Sequence, residues 1–204
     1  MNRTELKTWV KEKIKGHRLE LFITILVAGI LTNLTIWQGA SFEDGVVQAK
    51  GGISLGIFFY FVEVGLAYYM VKFLNGKEYN FKDLFYFSKD YVRTLVTGLL
   101  ETIFIFLWSL LLIVPGIIKG IAYSLVPLIL ADDKYKDLKY TEVLKKSEAM
   151  MKGHKMDYFV LQLSFIGWHI LAIFTLFILE IWIIPYQTTA TYKFLDDVMK
   201  NYKE

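Results

Sequence analysis

The sequence predicts an all-α, polytopic membrane helical bundle: six transmembrane helices as three hairpins, each preceded by a cytoplasmic amphipathic interfacial helix. Three observations carry that prediction. Hydrophobic residues make up 55% of the chain, above the roughly 45–50% apolar content of an ordinary globular chain. They are bunched into runs of about the length a bilayer demands, roughly 17–25 residues. Basic residues are sorted to one side, since 21 of the 23 Lys and Arg fall in Met1–Glu20, Lys72–Thr94, Asp132–Asp157 and Lys193–Glu204. Only Lys50 and Lys119 fall opposite. Short basic flanks stay cytoplasmic, so both termini are expected inside.

In chain order, Asn2–Lys15 carries Leu6, Trp9, Val10 and Ile14 at helical spacing on a basic surface. Asn2 and Glu5 are placed as an N-capping pair. Leu21–Trp37 is the first span. Gln38 spoils the small-x-small site a signal peptide would need after it, so an uncleaved helix is expected. Gly52–Leu74 is the second span. Asn80 then caps a segment whose apolar face is Phe81, Leu84, Phe85, Ser88 and Val92.

Leu95–Ala131 is too long for one crossing and divides at Pro115-Gly116, proline suiting the first turn of a new helix. Thr141–Lys152 presents Leu144, Ser147 and Met151 on one face, with Met150 beside it. Tyr158 to about Tyr192 is again of double length and divides near Phe174-Thr175.

The chain says one thing twice. Lys15–Phe22 reads KGHRLELF and Lys152–Phe159 reads KGHKMDYF, with four of eight positions identical. Each stretch ends an amphipathic helix at glycine, a common helix stop, and opens an apolar run. Residues 1–204 are therefore read as a single membrane domain of three repeat-like units, 1–74, 75–133 and 134–204, arising by duplication or by convergence on a useful membrane border.

Composition removes several chemistries. There is no cysteine, hence no disulfide, thiolate metal site or cysteine nucleophile. No H-E-x-x-H, G-x-S-x-G, phosphate loop or dinucleotide glycine motif occurs, and the polar segments are too short for a soluble catalytic domain. No enzyme activity, no cofactor and no metal site are expected. His17 and His154 read as interfacial residues after a glycine stop. The basic helices would attract anionic lipid headgroups, and these charges are needed at the bilayer, which argues against nucleic acid as a partner.

Ionisable groups inside spans are costly and are candidate sites for that reason. Glu63 is placed at the centre of span two, where it either holds a proton or faces water. Glu101 falls in the cytoplasmic third of span three. Lys119, His169 and Glu180 share the outer third of spans four, five and six, a depth that allows a Lys119–Glu180 ion pair with His169 nearby. With Gln162 and Gln187, the carboxylates Glu63 and Glu101 would line a cytoplasm-facing cavity if the polar inner half of the bundle converges. Pro127 and Pro185, read as mid-helix, would leave carbonyls there to be hydrated. The alternative is a packed bundle with tyrosines at the interface and threonines bonded to their own helices. Gly52-x-x-x-Gly56 and Gly116-x-x-x-Gly120 are assigned to close helix packing.

The stretches IFLWSLLLIVPGIIKGIAYSLVPLILADD (Ile105–Asp133), LKKSEAMMKGHK (Leu144–Lys155) and FVLQLSFIGWHIL (Phe159–Leu171) resemble the bacterial family known as domain of unknown function 975. That resemblance implies a small integral membrane protein of the cytoplasmic membrane of Gram-positive bacteria. It implies no activity. The turn within HILAIFTLFILEIW departs from expectation by lacking a glycine.

Two functions are carried forward. The first is a non-enzymatic accessory or interaction component of the cell envelope, with an unknown protein partner. The second is a small transporter or channel with Glu63 as a midplane carboxylate. A lipid-modifying enzyme stands third, requiring Glu63, Glu101 and His169 in one wet cleft.

Overall fold

The computed structural model describes residues 3–33, 35–36, 40–43, 46–49, 53–54 and 56–202. Nine α-helices account for most of it: α1 (Arg3–Lys13), α2 (Arg18–Thr32), α3 (Tyr60–Leu74), α4 (Tyr91–Leu111), α5 (Ile113–Tyr123), α6 (Val126–Ala131), α7 (Tyr140–Met150), α8 (Lys155–Phe174) and α9 (Glu180–Asn201). Single-turn 3-10 helices sit at Gly56–Phe59 and Asp133–Tyr135, and a longer one at Phe81–Asp90. Among the described residues the rest of the regular structure is four strands of two to four residues between α2 and the first 3-10 helix. β1 (Thr35–Ile36) pairs with β4 (Ile53–Ser54), and β2 (Ala40–Glu43) pairs with β3 (Val46–Ala49), both antiparallel.

Among the described residues three helices are long and apolar enough to cross a membrane: Phe81–Leu110, Val114–Ala131 and Lys155–Phe174. Only 17% of the first and of the third is buried inside the protein, so their apolar surface needs an apolar medium. Phe106, Leu110 and Phe174 are 63, 75 and 80% exposed, far beyond the scattered exposure normal for a soluble domain. α2 and α3, at 15 residues each, are about 22 Å long, shorter than the roughly 30 Å hydrocarbon core. The expected ends of the first two spans at Trp37 and Gly52, the Asn2 cap and the Gly52-x-x-x-Gly56 pair fall outside the described residues.

Local signals translate directly into local structure. Gly16 and Gly153, the glycines of the two KGH stretches, take φ of 90° and 89°, a left-handed turn that L side chains rarely adopt. Both α1 and α7 are thereby followed by the same turn. Asn80 Oδ1 accepts from the Lys82 N–H at 3.1 Å, and Asp83 returns the favour by accepting from the Asn80 N–H at 2.8 Å. Leu112, extended at φ −164°, ψ 144°, separates α4 from α5, and Pro115 lies in the first turn of α5 as expected.

The face after Asn80 is a correction. Leu84 and Phe87 are buried, whereas Phe81, Phe85 and Val92 are exposed. The segment is a 3-10 helix, with three residues per turn rather than 3.6, so positions 84 and 87 share the inward face. Gly65 of α3 makes room for it: a Cβ there would lie 2.0 Å from the Leu84 carbonyl oxygen. Pro127 is a second correction. It stands in the first turn of α6, after a break at Ser124-Leu125, and not mid-helix. Pro185 is inside α9 as expected.

Two apolar clusters hold the helices. One joins Val64 and Ala67 of α3 to Leu128 and Ile129 of α6, Val143 and Leu144 of α7, and Leu195 of α9. The other seats Leu6 and Val10 of α1 on Met70 of α3, Phe165 of α8 and Ala190 of α9. The expected apolar faces of α1 and α7 are thus turned onto other helices of the same chain. Ser147 of α7 is fully buried and donates to the Ala122 carbonyl at 2.7 Å.

Candidate functional site

The site begins with two residues one turn apart on α3, Tyr60 and Glu63. The α-helix starts only at Tyr60, so Glu63 occupies its first turn rather than the centre of a 52–74 span. Glu101 is the eleventh of 21 residues in α4. Gly98, one turn before Glu101, admits the Tyr60 ring: a Cβ at Gly98 would meet the ring carbon Cγ at 2.6 Å. The Tyr60 hydroxyl then donates to Glu101 Oε2 at 2.7 Å. Charged or not, that carboxyl has a donor.

α8 and α9 complete the wall. Gln187 Nε2 donates to Gln162 Oε1 at 3.0 Å, and Gln162 Nε2 donates to Thr191 Oγ1 at 3.0 Å. All four expected cavity residues, Glu63, Glu101, Gln162 and Gln187, line one cavity of about 320 Å³, together with Tyr123, Ser124, Tyr158 and Tyr192. A second cavity of about 390 Å³ lies among Ile25, Gly29, Thr32 and Asn33 of the α2 end, with Leu66. Glu63 and Tyr192 line both.

The hydrogen-bond chain runs on from Gln187. His169 Nε2 is 2.6 Å from Gln187 Oε1, and His169 Nδ1 is 2.8 Å from Glu180 Oε1. The tautomer of His169 follows the orientation of the two amides: Nε2 donates where Gln187 Oε1 faces it, and accepts where the amides turn over, leaving Nδ1–H to donate to Glu180. Glu180, His169, Gln187, Gln162 and Thr191 form one continuous polar line ending at the cavity.

The expected Lys119–Glu180 ion pair is not formed. Lys119 Nζ instead reaches Glu148 Oε1 of α7 at 2.7 Å and stacks 5.2 Å from the Trp108 ring. α7 packs against α4, α5 and α6, which brings Glu148 under Lys119. The packing glycines divide: a Cβ at Gly116 would lie 2.1 Å from Ser109 Oγ of α4, whereas Gly120 has open space around it.

Tyr60 and Tyr192 are the residues that sequence reasoning missed. Tyrosine in a membrane sequence reads as an interface marker, and no local signal distinguishes one that bonds a carboxylate across a helix seam. Among the described residues no three His, Asp or Glu side chains converge as a metal-binding set.

No curated protein and no solved structure matches this chain. Residues 110–202, which hold α5 to α9, match the family model described as Protein of unknown function (DUF975), which supports the resemblance to the domain of unknown function 975 family.

Proposed function

We propose that the protein is a small transporter or channel of the bacterial cytoplasmic membrane, non-enzymatic, with both termini cytoplasmic, moving a proton or a small cationic solute through a carboxylate site. In this reading α2, α3, α4, the broken α5–α6 pair, α8 and α9 are six crossings. The observation that carries it is the double exposure of Glu63: with Tyr192 it lines both cavities around the site. A path interrupted at a carboxylate is what a gated permeation route requires. Glu101, given a donor by Tyr60, and the Gln162–Gln187 pair supply the remaining polar groups for a desolvated cation. The accessory envelope role was the first expectation from sequence. A packed interior would restore it.

Accessibility and flux test the reading together. The chain has no cysteine, so single cysteines at Glu63, Gln162 and Gln187 can be labelled with a membrane-impermeant thiol reagent in inverted vesicles. Fast labelling at Gln162 and Gln187 with proton or cation flux lost in Glu63→Gln supports transport. Protection at all three positions, or flux unchanged by Glu63→Gln, removes it and returns the accessory role.

A further inference from the structure

Two recesses adjoin between α1 and the α8–α9 hairpin, of about 400 and 450 Å³, and they share Lys7, Lys11 and Tyr186. The first is a trough walled by Phe165, Trp168, Trp182 and Ile183. Its two tryptophans are 53 and 48% exposed. The second is polar, walled by Arg3, Thr4, Thr8 and Ser164.

Arg18 stands at the trough, so four cations border the two recesses, and among the described residues no carboxylate lines either one. Lys7 has a ring for a neighbour, its Nζ 4.8 Å from the Phe165 centroid, and a ring face does not neutralise charge as a counter-ion does. Burial, and then the nearby Arg3 charge, push the Lys7 ammonium below its ordinary value.

We infer that this cleft is a binding site for a single anionic phospholipid with a hydroxyl-bearing headgroup. Each part of such a molecule has a counterpart. The phosphate falls between Lys7 and Lys11, where the recesses meet. An acyl chain lies along Trp168, Trp182 and Ile183. Headgroup hydroxyls donate to Thr8 and Ser164, whose own hydrogens are committed to the Thr4 and Leu161 carbonyls at 2.9 and 2.6 Å, leaving their lone pairs to accept. Free phosphate would meet the cations but leave the trough unfilled, so the lipid is the better match. This is a site of fixed stoichiometry, distinct from general attraction of basic helices to a charged membrane.

The test is native mass spectrometry of the full chain released from mixed micelles of phosphatidylglycerol and phosphatidylcholine, with quenching of Trp168 and Trp182 by chain-brominated forms of each. One phosphatidylglycerol retained per chain is expected, with quenching lost in the W168F/W182F variant. Lys7→Gln, Lys11→Gln and Arg18→Gln combined should weaken retention about 100-fold, from roughly fivefold per cation. Lys11→Gln alone, at an exposed position, covers the case in which the triple variant fails to fold. Equal retention of phosphatidylcholine, displacement by millimolar inorganic phosphate, or full retention in the lysine variants would each overturn the proposal.

Discussion

Tyr60 of α3 lies flat against Gly98 of α4, and through that contact its hydroxyl reaches Glu101 at 2.7 Å. The glycine and the carboxylate sit one turn apart on the same helix face, so one side chain uses both. Tyr60→Phe should leave the Glu101 carboxyl without its donor at a loss of about 1–3 kcal/mol in stability. Gly98→Ala should expel the ring and cost at least as much. Chemical denaturation of the purified protein in detergent measures both.

Gly65 and Gly120 make opposite predictions. At Gly65 a methyl group would strike the backbone of Leu84, which has no rotamer to move. Gly65→Ala should cost about 2–3 kcal/mol as an overpacking defect. Gly120 has nothing within 4 Å, so Gly120→Ala should be neutral or stabilise by up to about 1 kcal/mol through helix propensity. A thermal melt of the two variants side by side decides it.

The pairing of charges can be measured without a structure. His169→Ala and Glu180→Gln should be non-additive by about 0.5–3 kcal/mol, as should Lys119→Ala with Glu148→Gln, since each pair is in contact. Lys119→Ala with Glu180→Gln should add independently. A coupling in that third cycle and none in the second would reinstate the pairing expected from matched depth.

At the α8–α9 turn Leu176 and Phe177 take φ of 50° and 64° without being glycine, at about 1–2 kcal/mol each. The glycine that the sequence lacks there is replaced by strain. Phe177→Gly should therefore raise stability by about 1 kcal/mol, read as a shift in the denaturation midpoint.

Lys7 makes stability depend on alkaline pH. Its folded value is lowered below 10.5 by burial and then by Arg3, so the charged form is disfavoured by folding. The unfolded chain binds more protons between the lowered folded value and 10.5, and stability should rise with pH across that window. Lys7→Gln should raise the neutral-pH melting temperature of lipid-free protein slightly and flatten this slope. Anionic lipid should do the same in the wild type by supplying the missing counter-charge.

Much of the chain was legible residue by residue. The buried faces of α1 and α7, the Asn80 cap, the glycine stops at Gly16 and Gly153 and the breaks near Pro115 and Phe174 all depend on neighbours within a turn or two. Glu63, Glu101, Gln162 and Gln187 were singled out for being polar in apolar runs, and the fold places them around one cavity. The face of Phe81–Asp90 was misread for an equally local reason, because the wrong helical period was applied.

The sequence by itself determined an all-helical chain with apolar runs suited to a bilayer, and which residues could not rest unpaired in one; it expected six crossings, where three helices among the described residues are long and apolar enough to make one. Desolvation cost and helical period are properties of short stretches, so they can be read in order. Only the tertiary structure decided who meets whom. Ser147 anchors α7 on Ala122, and that packing carries Glu148 to Lys119 and leaves Glu180 to His169. Contacts between residues so far apart along the chain are set by how apolar faces close on one another, and no local pattern encodes which of two carboxylates a lysine will find.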